Sequence, residues 1–282
     1  MNIHQPICNN PEYNSHFQQI DEVISRIEKY KEGDLDAEIN NRNNSKPDFA
    51  LSDNAILKKL IHMIAYSQQA KASRVTDLIN NGIFDTIFGN YDIQTIASLN
   101  PQDIIDKQWS NISAIRFRDK VHSIINTAQS LQNLLKLKSR KSFMDYFSDK
   151  NIPIRIMTEE QFDSFWEKFN SVQQDLKEVN MPFFKNFTSL CHLFLDFGFD
   201  CAKPDSAVMG AAVKLGIIPP PKKQKNNPDK VLPYPGRHLE KVIKTIQVYG
   251  LCRNKRPSVI DLYFLIHGGQ SGIKHMVKKS YY

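Results

Sequence analysis

The stretch Lys203-Pro204-Asp205-Ser206-Ala207-Val208-Met209-Gly210-Ala211-Ala212-Val213-Lys214-Leu215-Gly216 has the marks of a helix with a functional N-terminus. Val208, Ala212 and Leu215 fall on one stripe at helical spacing, and Gly210 and Ala211 are small enough for close packing. Pro204 fixes the approach and Asp205 stands at the edge. A carboxylate there meets unpaired backbone N–H groups and the positive end of the helix dipole, which stabilise negative charge. Asp205 is therefore either a simple N-cap or an anion held ready for chemistry. The rest of the chain has to separate the two.

Outward from this helix the pattern stays helical. Ile20, Val23, Ile24 and Ile27 recur at helical spacing after an irregular leader over 1–15, and residues 32–50, rich in Asn, Asp and Lys, read as a polar linker. Ser52-Asp53-Asn54 offers N-caps for a helix with Ile56, Leu57, Leu60, Ile61 and Ile64 inward. A further helix, about 70–80, ends at Asn81-Gly82. Phe117 to Leu135 reads as a long amphipathic helix, and Thr158-Glu159-Glu160-Gln161 has the capping-box form that opens another. Two helices close the chain near 236–249 and 257–267. No run alternates with period two and no internal repeat occurs, so the fold class is all-α. The chain divides into 1–50 (leader, helix and linker), 51–145 (a central helical subdomain) and 146–218 (a hairpin-like segment with the Asp205 helix). A basic Pro-rich linker over 219–235 and C-terminal helices over 236–282, expected to pack with the N-terminal helix, complete it.

At 282 residues, 41% hydrophobic, the chain can bury a sizeable core in one large domain or two small ones. No run approaches the roughly twenty apolar residues of a membrane span. The N-terminus lacks the basic start and apolar run of a signal peptide. The expectation is a cytoplasmic protein, nucleoid-associated in a bacterial cell, with no membrane partner. Cys8, Cys191, Cys201 and Cys252 are far apart without a C-x-x-C pair or zinc-like Cys/His spacing, which predicts four free thiols and no metal. The net charge of +7 is uneven. Residues 220–282 carry thirteen Lys or Arg against three acids, whereas the rest carries twenty-four against twenty-seven. Such a concentration fits a polyanion partner and equally fits a solvated basic tail.

Three segments, taken with the opening stretch, resemble the helix-hairpin-helix (HhH-GPD) DNA glycosylase superfamily, and within it the monofunctional 3-methyladenine-type enzymes. Asp205, Val208, Ala212, Leu215 and Gly216 match the catalytic-aspartate element without a gap. Ala65-Tyr66-Ser67-Gln68-Gln69-Ala70 resembles the Ser-x-Gln-Ala signature at the end of the first core helix. Phe117-Arg118-Asp119-Lys120-Val121 resembles the aromatic-Arg-x-Lys-Ala opening of the next long helix. From Met181 to Asp205, Pro182 matches the hairpin proline and Thr188 the residue that begins the second hairpin helix. Phe183 and Lys185 depart from the family by standing where glycine is usual. A phenylalanine at positive φ is costly, so a reshaped hairpin is expected. Phe187, eighteen residues before Asp205, stands where bifunctional relatives carry a Schiff-base lysine.

The resemblance implies two helical subdomains with a cleft between them. It also implies base-excision repair of double-stranded DNA by hydrolysis of the N-glycosidic bond of a damaged, alkylated base, by a monomer without a cofactor. Asp205 would be catalytic and Gln69 would probe the gap left by the flipped base. Tyr66, Trp109, Phe117 and Trp166 are candidates for the wall of the base pocket, each with core burial as the competing reading. Lys185, Asn186, Thr188, Arg118 and Lys120 would contact the DNA backbone. The alternatives are a non-catalytic DNA-binding protein that retains the fold, in which Asp205 is only an N-cap, and a helical protein-interaction domain.

Overall fold

Capping side chains set several helix boundaries. Ser52 accepts from the N–H of Ala55 (3.3 Å), Asp92 from that of Thr95 (2.7 Å) and Ser142 from that of Asp145 (3.0 Å), each relieving a donor that a helix start leaves unpaired. At Thr158 the capping box forms with a shifted acceptor. The hydroxyl takes the N–H of Gln161, and the Gln161 side chain takes that of Met157.

The computed structural model describes residues 6–68, 70–269, 271–278 and 281, the side chains of 227–230, 271, 272 and 274 excepted. Its helices are α1 (Pro11–Asn14), α2 (Phe17–Lys29), α3 (Leu35–Asn44), α4 (Asp53–Tyr66), α5 (Ala72–Asn80), α6 (Ile83–Ile87), α7 (Ile93–Ser98) and α8 (Pro101–Ile112). They continue with α9 (Asp119–Leu137), α10 (Phe143–Asp149), α11 (Glu159–Glu178), α12 (Phe187–Asp196), α13 (Ser206–Lys214), α14 (Gly236–Arg253) and α15 (Pro257–Gly268). Strands β1 (Lys223–Gln224) and β2 (Asn227–Val231) form one short antiparallel pair. The protein is all-α, and among the described residues no helix is long and apolar enough to cross a membrane.

The chain folds as two compact units. One comprises Asp48–Ile152 and Lys168–Asn186. Its core joins Ile56, Leu60 and Ile64 of α4 to Val121, Ile124 and Leu131 of α9, with Phe143 and Phe147 of α10 beside them. The other comprises the chain up to Pro47, Pro153–Glu167, and the chain from Phe187 onward. At its centre runs α15, buried on almost every side from Pro257 to Phe264, as expected of a helix that is apolar all round. Around it pack α2, α3, α13 and α14.

Three sequence expectations change. The linker predicted over 32–50 contains α3. Only Leu35 of α3 is fully buried, so no apolar stripe announced it. Arg42 holds it instead, through Glu38 (2.7 Å) and through the Ser258 carbonyl (2.6 Å) and Asp261 (2.9 Å) of α15. The leader forms a 3₁₀ turn at Pro6–Asn9 followed by α1, residues 1–5 lying outside the described residues. The 3₁₀ turn packs on α14, and there Cys8 and Cys252 form a disulfide with a Cα–Cα distance of 5.8 Å. Separation along the chain says nothing about separation in the fold, so the expectation of four free thiols fails for this pair. Cys191 and Cys201 are free and buried.

Two half-buried histidines give this unit an acid-sensitive stability. Burial, with the charge of Lys203, lowers the His192 pKa to about 3. Burial, with Lys214 and Arg26, lowers that of His267 to about 4. Both are neutral in the folded chain near neutrality, while the unfolded chain takes up their protons below about 6.5. Their contribution is therefore complete above pH 6.5 and is lost as the pH falls toward 4. Thermal unfolding followed by circular dichroism should show Tm falling across that window, and His192→Gln should flatten the slope.

Candidate active site and nucleic-acid face

Asp205 is the N-cap of α13, in extended conformation, with one carboxylate oxygen accepting from the backbone N–H groups of Ala207 (2.9 Å) and Val208 (3.0 Å). The side chain is half-buried, and its second oxygen makes no hydrogen bond among the described residues. The carboxylate is thus oriented by one oxygen and available through the other. The helix that carries it sits hard against α15. A Cβ on Gly268 would lie 2.0 Å from the carbonyl oxygen of Ala207, so only glycine permits this approach.

The segment leading into Asp205 is clamped by buried charge. Asp261, on α15, accepts the N–H of Lys203 (2.9 Å) with one oxygen and the Arg42 guanidinium (2.9 Å) with the other. Burial raises the Asp261 pKa, Arg42 and the Lys203 N–H oppose the rise, and the charge of Asp205 adds to it. Below them Arg256 pairs with Asp200 (2.8 Å) and donates to the carbonyls of Gly198 (2.9 Å), Arg42 (2.7 Å) and Ser45 (2.5 Å). Asp200 also accepts the N–H of Ile156, and its carbonyl accepts from Gln247, which in turn accepts from the Trp166 indole. Gly198 has φ +86°, and a Cβ there would lie 2.7 Å from the backbone of Lys46. The turn that delivers Asp205 therefore has few ways to move.

In the other unit, the end of α4 and the start of α9 form an exposed face. Tyr66 and Phe117 are 40% and 42% exposed. The Tyr66 hydroxyl bonds to Thr76 (2.8 Å), the Arg116 guanidinium lies 5.2 Å from the Phe117 ring centre, and that of Arg118 lies 5.5 Å from the Trp109 ring centre. Gln68 and Arg116 both adopt positive φ, +50° and +80°. Such conformations cost roughly 1–3 kcal/mol each in a non-glycine residue and persist where surroundings impose them. Here Lys120 imposes one. Only 3% exposed, it donates to the carbonyls of Ala65 (3.1 Å) and Ser67 (2.6 Å), and the N–H of Lys71 bonds to Ala114 (3.2 Å). Burial, with Arg116 nearby, lowers the Lys120 pKa to about 8. A cavity of about 510 Å³ lined by Gln68, Phe117, Asp119, Lys120 and Ser123 opens on this face.

The segment between α11 and α12 contains a left-handed residue that is not glycine. Phe183 has φ +64°, its ring edge-on to the buried Phe184 ring at 5.0 Å, and that contact offsets part of the conformational cost. Phe183 therefore adopts the left-handed conformation despite its side chain. Lys185 is not in the left-handed region. Its ammonium bonds to Asn180 and its carbonyl accepts from Gln173 (3.2 Å). Asn186 is exposed, and Thr188 is half-buried in the first turn of α12.

The predicted residues thus part company. Asp205, Tyr66, Phe117, Trp109, Arg118 and Asn186 present surface. Lys120 is spent on the end of α4 and does not reach solvent as a phosphate contact would require. Trp166 is buried, its N–H held by Gln247, one ring face stacked on Phe187 (6.2 Å) and Lys244 4.9 Å from the ring centre, so it belongs to the core and not to a pocket wall. Gln69 lies outside the described residues. The sequence reading missed Arg42, Asp200, Arg256 and Asp261. The available signal was Asp261 inside the apolar run Val259-Ile260-Asp261-Leu262-Tyr263, since a carboxylate there must find a buried cation. Among the described residues no group of three or more His, Cys, Asp or Glu is placed to hold a metal ion.

Arg256→Met deprives the buried Asp200 charge and several carbonyls of their guanidinium partner, so chemical denaturation should show a loss of about 3–5 kcal/mol. Lys120→Met removes both bonds at the end of α4. Hydrogen exchange should then accelerate at Ala70 and Lys71 while the core amides of α9 stay protected.

Comparisons with curated proteins and with solved structures found no match. A family model, methyladenine glycosylase, matches residues 50–196. That is just over half of the chain, and it contains every predicted site residue except Asp205. With its all-α fold and the face built by α4 and α9, the chain belongs to the methyladenine glycosylase family.

Proposed function

We propose that the chain is a monofunctional DNA glycosylase that removes an alkylated base from double-stranded DNA, acting as a monomer and without a cofactor. The observation that carries this reading is Asp205, a carboxylate with one oxygen fixed by two backbone N–H groups and the other without a hydrogen bond among the described residues, on a segment clamped by buried ion pairs. The damaged nucleotide leaves the stack and enters the protein. As the N-glycosidic bond breaks, its electron pair leaves with the base and positive charge develops on the sugar. Asp205 stabilises that charge and takes the proton of the water whose oxygen bonds to C1′. A base alkylated to a cation departs neutral, and Tyr66, Phe117 and Trp109 are the candidate rings to favour it through cation–π attraction. Arg118, Asn186, Thr188 and Lys185 hold the DNA backbone, and Gln69 fills the vacated position. Phe187 offers no amine for a Schiff base, which supports hydrolysis without strand cleavage.

Single-turnover excision on duplexes carrying an alkylated purine, uracil or oxidised guanine tests the reading. The expected result is abasic product from the alkylated purine, with strands intact until alkali is added. Asp205→Asn should lower the rate by about 100-fold or more with duplex binding retained. Binding without excision of any lesion would assign the chain instead to the non-catalytic DNA-binding class.

A further inference from the structure

The basic Pro-rich stretch 219–235 is not a plain linker. β1 and β2 pair across the two residues Lys225 and Asn226, Lys223 stands opposite Val231, and the Leu232 N–H bonds to the Lys222 carbonyl at 2.8 Å. Both ends of the hairpin are rooted. Ile217 and Ile218 are buried on one side and Tyr234 is half-buried on the other. Between these roots Lys222, Lys223 and Lys225 are exposed, as is Arg237 just beyond. Val231 and Leu232 are 55% and 44% exposed, among the most exposed large apolar side chains described. From 222 to 237 the sequence holds five Lys or Arg and one acid, Asp229.

We propose that this hairpin is a second DNA contact, a wing that holds the duplex away from the damaged base. The proposal rests on the reading of the chain as a DNA-binding glycosylase and adds a surface outside the matched family region. Charge selects the partner, since three exposed lysines within one short hairpin, Lys222 before β1, Lys223 on it and Lys225 in the turn, suit a row of phosphates. The pairing of Lys223 with Val231 puts a cation and an apolar side chain on one face of the ladder. A backbone flanked by sugar edges has the same alternation of charge and apolar surface, and minor-groove binders use lysine and aliphatic side chains together in this way. Position is consistent with the role. The chain leaves α13 at its C-terminal end and reaches β1 after residues 215–222, whereas Asp205 caps the opposite end of the same helix, nine residues or about 13 Å away along its axis. The wing therefore supplies affinity and orientation while taking no part in the bond-breaking step.

The test uses the full chain and a fluorescein-labelled undamaged duplex, with binding measured by anisotropy across a salt series. The combined variant Lys222→Gln, Lys223→Gln, Lys225→Gln should bind about tenfold more weakly at low salt, and its log–log salt slope should fall by about 2–3. Val231→Ser with Leu232→Ser should weaken binding several-fold and leave the slope unchanged. Single-turnover excision at saturating duplex should match the wild type in both variants. Unaltered affinity and slope in the lysine variant, with the wild type binding, would overturn the wing alone. Wild-type binding without excision of any lesion would overturn the glycosylase reading and leave the wing standing if the lysine variant still loses affinity. A wild type that binds no duplex would overturn both.

Discussion

A buried pair of arginine–carboxylate contacts organises the unit that carries Asp205. Arg256 with Asp200, and Arg42 with Asp261, bring together the end of α3, the turn after α12, the start of α15 and the chain entering α13. Buried ion pairs of this kind add little net stability over a well-packed apolar substitute, because desolvation offsets most of the attraction. Direction is what they contribute. A guanidinium that must satisfy several carbonyls at once leaves its neighbours few arrangements, and Lys203, two residues before Asp205, is bonded straight into that set. The apolar contact of α13 on α15, tight enough to require Gly268, fixes the remaining freedom.

The face made by α4 and α9 is organised by different means. Its exposed rings and guanidiniums, Tyr66 at the end of α4 and Arg116, Phe117 and Arg118 before α9, adjoin two loops that both contain a residue at positive φ, and the buried Lys120 ties the first of them to α9. A lysine placed in this way has stopped being a surface charge. Its ammonium takes the part that a C-cap glycine or a water would otherwise take at the end of α4. The hairpin shows the same economy of means, since Phe183 holds a left-handed turn by packing its ring where a glycine would have held it by lacking one.

Helices with apolar stripes and capping residues were readable directly. α4, α9, α11, α14 and α15 lie close to their predicted positions because burial of one face is a local, periodic property of the chain. Elements held by polar or distant contacts were not readable. α3 has no stripe and depends on Arg42. The pairing of β1 with β2 occupies too few residues to produce alternation. The Cys8–Cys252 bond joins positions 244 residues apart. The N-cap position of Asp205 was legible because a carboxylate before a small-residue helix is a local pattern. That Lys120 and Trp166 are buried was not legible, because a basic or aromatic residue type does not disclose which way its side chain is turned.

The sequence by itself determined the all-α class, the main helices, the family resemblance and the identity of Asp205 as the candidate carboxylate. All of these depend on short-range spacing and capping, which are properties of neighbouring residues. Only the tertiary structure decided which charges are buried in pairs, that Lys120 and Trp166 are structural, that Phe183 adopts the left-handed turn, and that the basic stretch forms a hairpin. Each of these depends on a partner distant in the chain or on a backbone conformation imposed by packing. Such a partner is specified by the whole fold and leaves no periodic trace in the residues on either side.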